Sequence, residues 1–286
     1  MIGCSARSRV AAVMLGILAA ANTLEAQSDT ITPPRPLFTW QDGVLASVFV
    51  GVTVAIAPLD KHFAERLQSR ENQQKGTLQK TATVFTVVAL PGSAITGTSL
   101  YAIGRITSSH RTADLGLHAT EALLIGEGLA GGMKGIFGRQ RPYVDSTNFN
   151  PYKWHFLGGF VSSDGQRSFP SGHAVAAFAA AAAVTAETSR WWPSERWVLG
   201  SAMYGAAGMV GLSRMYNNRH WASDIIMGAA VGTFAGNKVV RYHHSHPGNK
   251  VDEWLVNFSI TPEGAGHTLS ASILPRLRPS ITRRIR

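Results

Sequence analysis

Six apolar stretches joined by short connections limit what this chain can fold into. They run over about Gly43–Pro58, Thr81–Ile106, Leu115–Ile136, Ser171–Thr185, Val198–Leu212 and Asp224–Val240. The pattern predicts an all-α protein, a six-helix bundle. With 45% hydrophobic and 15% charged residues, the composition excludes an intrinsically disordered chain. Whether the segments cross a bilayer is less constrained. A spanning helix needs about 20 predominantly apolar residues, and several of these stretches are shorter. Their apolar content is largely Ala, Gly and Val, and the mean hydropathy of +0.02 is low for helices that all face lipid. The third stretch also carries His118, Glu121 and Glu127, which are costly to expose to lipid. At i, i+3 and i+9 they span about 180° of helix arc, so one polar face can turn inward.

The flanks differ from this body. Arg7 and Arg9 precede an apolar run from Val10 to Ala21 and a Leu24-Glu25-Ala26 exit. That reads as an export signal, or as an uncleaved first membrane helix. The expected organisation is therefore a signal or membrane segment over 1–26, a linker over 27–42, a catalytic domain over 43–242 and a basic tail over 243–286. Cys4 is the single cysteine, which excludes a disulfide framework or a Cys-based zinc site in the folded body. Lys61–Lys80 is polar and reads as a solvated helix or loop. His243, His244 and His246 read as a polar helix exit, with metal binding as the alternative. Val256–Ile260 and Leu269–Ile273 alternate around a Gly-containing turn, a β-hairpin-like signal. The end holds five Arg and no acid, within a net charge of +10. For an exported chain that surplus suits an anionic membrane surface rather than nucleic acid.

Three clusters carry chemistry. In the first, Lys134 and Arg141 lie seven apart, so both cations can leave one helix face, and Pro142 disfavours helix at Arg141. Such a pair can equally cap carbonyls or sit at a membrane interface. In the second, Pro170-Ser171-Gly172-His173 opens an apolar run. The first N–H groups of a helix are unpaired and can receive an anion. Ser171 adds a hydroxyl, Gly172 permits close approach, and His173 can supply a proton; an ordinary cap with an incidental His is the bland reading. In the third, Arg214 offers a planar fork for phosphate-like oxygens. His220 and Asp224, four apart, can form an imidazole–carboxylate pair, as an activated nucleophile needs; a solvated surface pair is the alternative. Taken together the clusters assemble an oxyanion cage. Arg139 and Arg219 fall outside it and are expected to be solvated.

The ordered pattern K-x6-RP, PSGH and SR-x5-H-x3-D resembles the type 2 phosphatidic acid phosphatase and vanadium haloperoxidase superfamily. Every fixed position matches: Lys134, Arg141, Pro142; Pro170, Ser171, Gly172, His173; Ser213, Arg214, His220 and Asp224. The resemblance covers about Gly43 to Val240 and implies a bundle of that kind and a metal-free phosphatase. It implies that His220 attacks phosphorus to give a phosphohistidine, with Asp224 orienting it. His173 protonates the leaving oxygen and later activates water. Lys134, Arg141, Arg214, Ser171 and the Gly172 N–H hold the phosphoryl oxygens. No cofactor is implied; vanadate is expected as an inhibitor, and as a cofactor only for a haloperoxidase.

The implied substrates are lipid phosphates: phosphatidic acid, phosphatidylglycerol phosphate or undecaprenyl diphosphate. The connection Tyr143–Phe169 is rich in aromatics and can receive a lipid chain or pack on itself as a lid. A soluble periplasmic acid phosphatase, a haloperoxidase and a non-catalytic lipid-binding module are the alternatives. The expected place is the bacterial cell envelope, with the site facing the periplasm.

Overall fold

The computed structural model describes residues 36–246, 249–252, 258–263 and 266–271. The expected signal segment, Cys4 and the Arg-rich end lie outside the described residues. Those described form an all-α bundle: α1 (Trp40–Ile56), α2 (Asp60–Leu67), α3 (Arg70–Gln73), α4 (Gly76–Val87), α5 (Ser93–Ile106), α6 (His110–Phe137), α7 (Gly172–Trp191), α8 (Arg196–Tyr216) and α9 (Ala222–Ser245). Phe258–Glu263 and Gly266–Ala271 pair antiparallel beyond it.

Local chemistry explains several boundaries. The Thr39 N–H donates to Asp42 Oδ2 at 2.6 Å, a reciprocal cap that starts α1 at Trp40, inside the expected linker. α4 passes into α5 through a π-helical turn, Val88–Gly92, that contains Pro91, which has no N–H to give the ladder. α6 stops at Gly138, whose φ of +53° is left-handed. A Cβ there would lie 2.0 Å from the His155 carbonyl oxygen, so both conformation and space demand glycine. At the other end α9 runs to Ser245 and buries His243, so the structured body passes beyond the expected limit at 242. The Lys61–Lys80 stretch is only partly solvated. Lys61 and Lys75 reach Glu65 and Glu71 on the outside, while Asp60 and Ala64 beside them are buried.

Small residues form the contact between α7 and α9 within the core. Ala174, Ala176, Ala179, Ala181 and Ala183 of α7 have no exposed surface. Gly228, Gly232 and Gly236 of α9 face them, and a Cβ on Gly232 would come within 2.3 Å of the Val175 carbonyl oxygen. Ala against Gly lets two helix backbones touch, as in membrane bundles. The bulky side chains point the other way: Val54, Val84, Ile95, Ile103, Leu124 and Val198 are all more than half exposed. The low mean hydropathy therefore coexists with an apolar exterior, because small residues take the place between α7 and α9. Two helical stretches, Trp40–Leu67 and Gly76–Ile106, are long and apolar enough to cross a membrane, and both face mostly outward.

One buried cation ties the N-terminal helices to the rest. Arg139 Nη2 donates to Asp60 Oδ2 at 2.7 Å, and Nη1 donates to Asp224 Oδ1 at 2.6 Å and to Ser223 Oγ at 2.7 Å. Its guanidinium lies 4.7 Å from the Trp154 ring centroid and 5.4 Å from that of Trp221. Arg139 is 1% exposed, against the expectation that it is solvated. The turn at Gly138 aims it inward, where two fully buried carboxylates need a shared positive charge.

Arg139→Met leaves both carboxylates unpaired and is expected to cost about 3–5 kcal/mol of stability, read from denaturant midpoints. Gly232→Ala is expected to destabilise by about 1–3 kcal/mol through overpacking. Gly131→Ala, on α6 with open space around its Cβ position, should instead leave the thermal midpoint unchanged or raise it, since alanine is the better helix former.

Candidate active site

The C-terminal ends of α6 and α8 and the N-terminal ends of α7 and α9 bring the three sequence clusters to one end of the bundle. Lys134 sits in the last turn of α6 and Arg214 in the last turn of α8. Ser171 caps α7, with Gly172 and His173 in its first turn. His220 lies in the α8–α9 turn, and Asp224 in the first turn of α9. The ends interlock directly, because the Ser171 N–H donates to the Asp224 carbonyl at 3.1 Å.

His220 is 4% exposed. Its Nδ1 lies 2.8 Å from the Ser168 carbonyl oxygen and 3.5 Å from Asp224 Oδ2. A carbonyl only accepts, so Nδ1 carries the proton and Nε2 is left with its lone pair. The nearer group is therefore a backbone carbonyl, which holds the ring together with the Asp224 carboxylate. Asp224 also acts one step back. Its Oδ2 accepts from Ser168 Oγ at 2.6 Å and from the Trp221 N–H at 2.9 Å, fixing the segment that presents the carbonyl. Burial would raise the Asp224 carboxyl, but Arg139 and His220 outweigh it and hold it at about 2.

Nε2 of His220 faces Arg141, whose Nη1 is 3.2 Å away. Burial first, then the neighbouring Arg141 and Arg214, outweigh Asp224 and bring His220 down to about 4. The ring is neutral near pH 7, and its Nε2 lone pair accepts from Arg141 Nη1. Arg141 is fixed from its far side by Asp164, through Nε to the carbonyl at 2.9 Å and Nη2 to Oδ1 at 2.8 Å. Arg219, expected to be solvated, is half-exposed; it lies 3.5 Å from Asp164 and over the Tyr143 ring.

Arg214 has no carboxylate within ion-pair distance among the described residues. Its Nη1 reaches only Thr86 Oγ1, at 3.3 Å, and its Nε is buried without an acceptor. Burial, Arg141 and Arg219 push the group down to about 10. Lys134 is lowered too, by burial and then by Arg141 and Arg167 against the pull of Glu127. His173 shares these surroundings: burial, Arg214, His220, Lys134 and Arg141 lower it to about 3. Positive charge here exceeds what the protein itself neutralises, and an anion would relieve every one of these shifts.

Two residues do more local work than their motif positions indicate. Ser171 Oγ accepts from the Ala174 N–H at 3.4 Å, so the hydroxyl caps α7 and keeps its proton to donate. Gly172 packs against side chains, and a Cβ there would meet Lys134 Nζ at 2.8 Å and Glu127 Oε2 at 2.9 Å. Ser168, Asp164, Thr86 and Glu127 were not among the expected site residues. Glu127 was marked only as a costly group; its raised carboxyl, caused by burial, and its orphaned Oε1 place it beside Lys134.

The aromatic connection divides into two faces. Trp154 and Phe169 pack with Phe137 of α6, and Phe160 fills the space over Gly135. Phe156, Leu157 and Val161 project outward, each more than 60% exposed.

Residues 115–246 match the PAP2 superfamily. Over 119 residues the chain is 40% identical to a lipid A 1-phosphatase from Porphyromonas gingivalis; the match takes in 39% of this chain and 21% of that protein, so the chain spans about a fifth of its length. Two solved structures are similar. Aquifex aeolicus LpxE is 21% identical with a TM-score of 0.44, over 64% of this chain and 96% of that one. The PAP2-type phosphatidylglycerolphosphate phosphatase of Bacillus subtilis is 18% identical with a TM-score of 0.42, over 74% of this chain and all of that one. The stretch that matches the PAP2 superfamily, residues 115–246, holds all three motifs, from Lys134 to Asp224, at one end of the helical bundle.

Proposed function

We propose that this protein is a metal-independent lipid phosphatase acting through a phosphohistidine. The observation that carries the reading is Arg214, buried, with Nε lacking any acceptor beside a histidine whose unprotonated nitrogen faces Arg141. Catalysis of phosphoryl transfer is mainly positioning and charge stabilisation, and Lys134, Arg141, Arg214, the Ser171 hydroxyl and the Gly172 N–H are the groups to hold the phosphoryl oxygens. His220 Nε2 attacks phosphorus; the P–O bond to the lipid breaks as His173 gives its proton to the leaving oxygen. His173, now neutral, takes a proton from water, whose oxygen displaces His220 and releases inorganic phosphate.

The proton on His173 has to enter with the substrate. At about 3 the free site holds this ring neutral, and a phosphate monoanion delivers both the charge that raises it and the proton it needs. A lipid phosphate in a bacterial envelope membrane is the substrate class supported by the outward-facing apolar helices, the exposed Phe156–Leu157–Val161 edge and the lipid A 1-phosphatase likeness. The orientation that suits this substrate faces the site to the periplasm, with anionic headgroups around it.

His220→Ala is expected to lower phosphate release from phosphatidic acid or lipid A in detergent micelles by about 10⁴-fold or more with the thermal midpoint kept; appreciable turnover would refute the nucleophile. Equal or better activity on a water-soluble monoester without detergent would point instead to a general acid phosphatase. Orthovanadate should inhibit, and chelators should not. The profile of kcat/KM against pH has a predicted sign on each side. The acid limb follows protonation of free His220 near 4, well under the ordinary imidazole value, and the alkaline limb follows loss of the substrate monoanion near about 6. An acid limb at an unshifted imidazole value would mean that His220 is not buried as described.

A further inference from the structure

The end of the bundle away from His220 holds a second polar cluster that phosphoryl transfer does not use. On α6, Asp114, His118 and Glu121 fall at i, i+4 and i+7, one stripe of the helix. α7 supplies Glu187 and α9 supplies His243 and His244. At 1.5 Å of rise per residue, these groups lie roughly 20–30 Å along their helices from Lys134, His173 and Asp224.

The contacts are dense. Glu187 Oε1 pairs with His118 Nδ1, and His244 Nε2 lies 2.9 Å and 3.0 Å from the two Glu187 oxygens. His243 is held between Glu121, 2.6 Å from Nε2, and Asp252, 2.6 Å from Nδ1. The ring centroids of His118 and His243 are 4.1 Å apart. His118 and Glu187 are almost fully buried, whereas the His244 side chain is 30% exposed and gives the cluster an opening to solvent. Every ion-pair partner of Glu121, Glu187 and Asp252 among the described residues is a histidine. Carboxylates and imidazoles gathered without Lys or Arg are the donor set of zinc and related divalent ions. One ligand atom each from His118, Glu187 and His244 lies within 4.8 Å of the others. A tetrahedral site with bonds of about 2.0–2.2 Å needs separations of roughly 3.4 Å; the two imidazole–carboxylate contacts are already inside that distance and need only open to it, a movement within reach of side-chain rotation.

We propose that His118, Glu187 and His244 form a binding site for a divalent transition metal ion, with zinc the best match, at the end of the bundle opposite the catalytic histidine. Two imidazole nitrogens and one carboxylate oxygen complete three positions, and water takes the fourth. His243, fixed between Glu121 and Asp252, packs beside His118 as a supporting neighbour. The ion clamps α6, α7 and α9, the helices that carry Lys134, His173 and Asp224 at their other ends. Its role is structural, so it is separable from the metal-independent chemistry proposed above.

The test uses the untagged full chain in detergent, stripped with a chelator and dialysed against buffered zinc chloride. About one zinc per chain is expected by atomic emission. Zinc at a hundredfold excess over its Kd should raise the thermal midpoint by roughly 5–10 °C. His244→Ala, at the exposed edge, should fold, lose the zinc and lose the shift. His246→Ala, on the same helix end but outside the set, should keep both. Stripped wild-type protein assayed below its midpoint should retain phosphate release. Equal zinc content in wild type and His244→Ala, or no shift of the wild-type midpoint with zinc, would overturn the assignment.

Discussion

The fork of Arg139 between Asp60 and Asp224 is the interaction on which the rest of the site depends. Asp224 has four hydrogen-bonding or charged neighbours to serve, and Arg139 holds its Oδ1 at 2.6 Å, leaving Oδ2 to fix Ser168 and the Trp221 N–H. Ser168 then offers its carbonyl to His220. Remove the guanidinium and two carboxylates with no solvent exposure repel each other, so the chain from Asp60 to the His220 tautomer loses its anchor. The geometry of the candidate site and fold stability are thus one electrostatic problem at this end of the bundle, which also explains why α2, far from the site in sequence, packs where it does.

The second constraint is steric. Alanines on α7 and glycines on α9 bring two backbones close enough that Ser171 can donate to the Asp224 carbonyl. That contact places the N-terminus of α7 and the His220 turn in register. Bulkier residues on these faces would separate the N-terminus of α7 from His220. A membrane environment makes the arrangement workable, because the large apolar side chains displaced from the core have somewhere to go.

Much of this was legible in the sequence. The apolar stretches mark the helices, and the three clusters name Lys134, Arg141, Ser171, Gly172, His173, Arg214, His220 and Asp224, which meet at one bundle end. Arg139 was misread because nothing in Gly138-Arg139-Gln140 shows which way a side chain leaves a left-handed turn; that depends on Asp60, nearly eighty residues earlier. The Ser168 contact is invisible for another reason, since a backbone carbonyl has no residue signature. Likewise His118 and Glu121 show a polar face, but only the register of α7 and α9 reveals that Glu187, His243 and His244 are what it faces.

The alternation of helix direction also explains how so much positive charge is tolerated at this end of the bundle. Lys134 and Arg214 stand in the last turns of α6 and α8, where the negative end of each helix dipole favours a cation by about 0.3–1 kcal/mol. They therefore need no full complement of carboxylates, and Arg214 has none within reach among the described residues. α7 and α9 enter the same region by their N-termini, whose N–H groups favour an anion. One pair of helices stabilises the cations and the other pair favours their ligand. An antiparallel bundle gives both at a single end, and the preference of this end for an anion is built from the direction of the helices as much as from the residues at their tips.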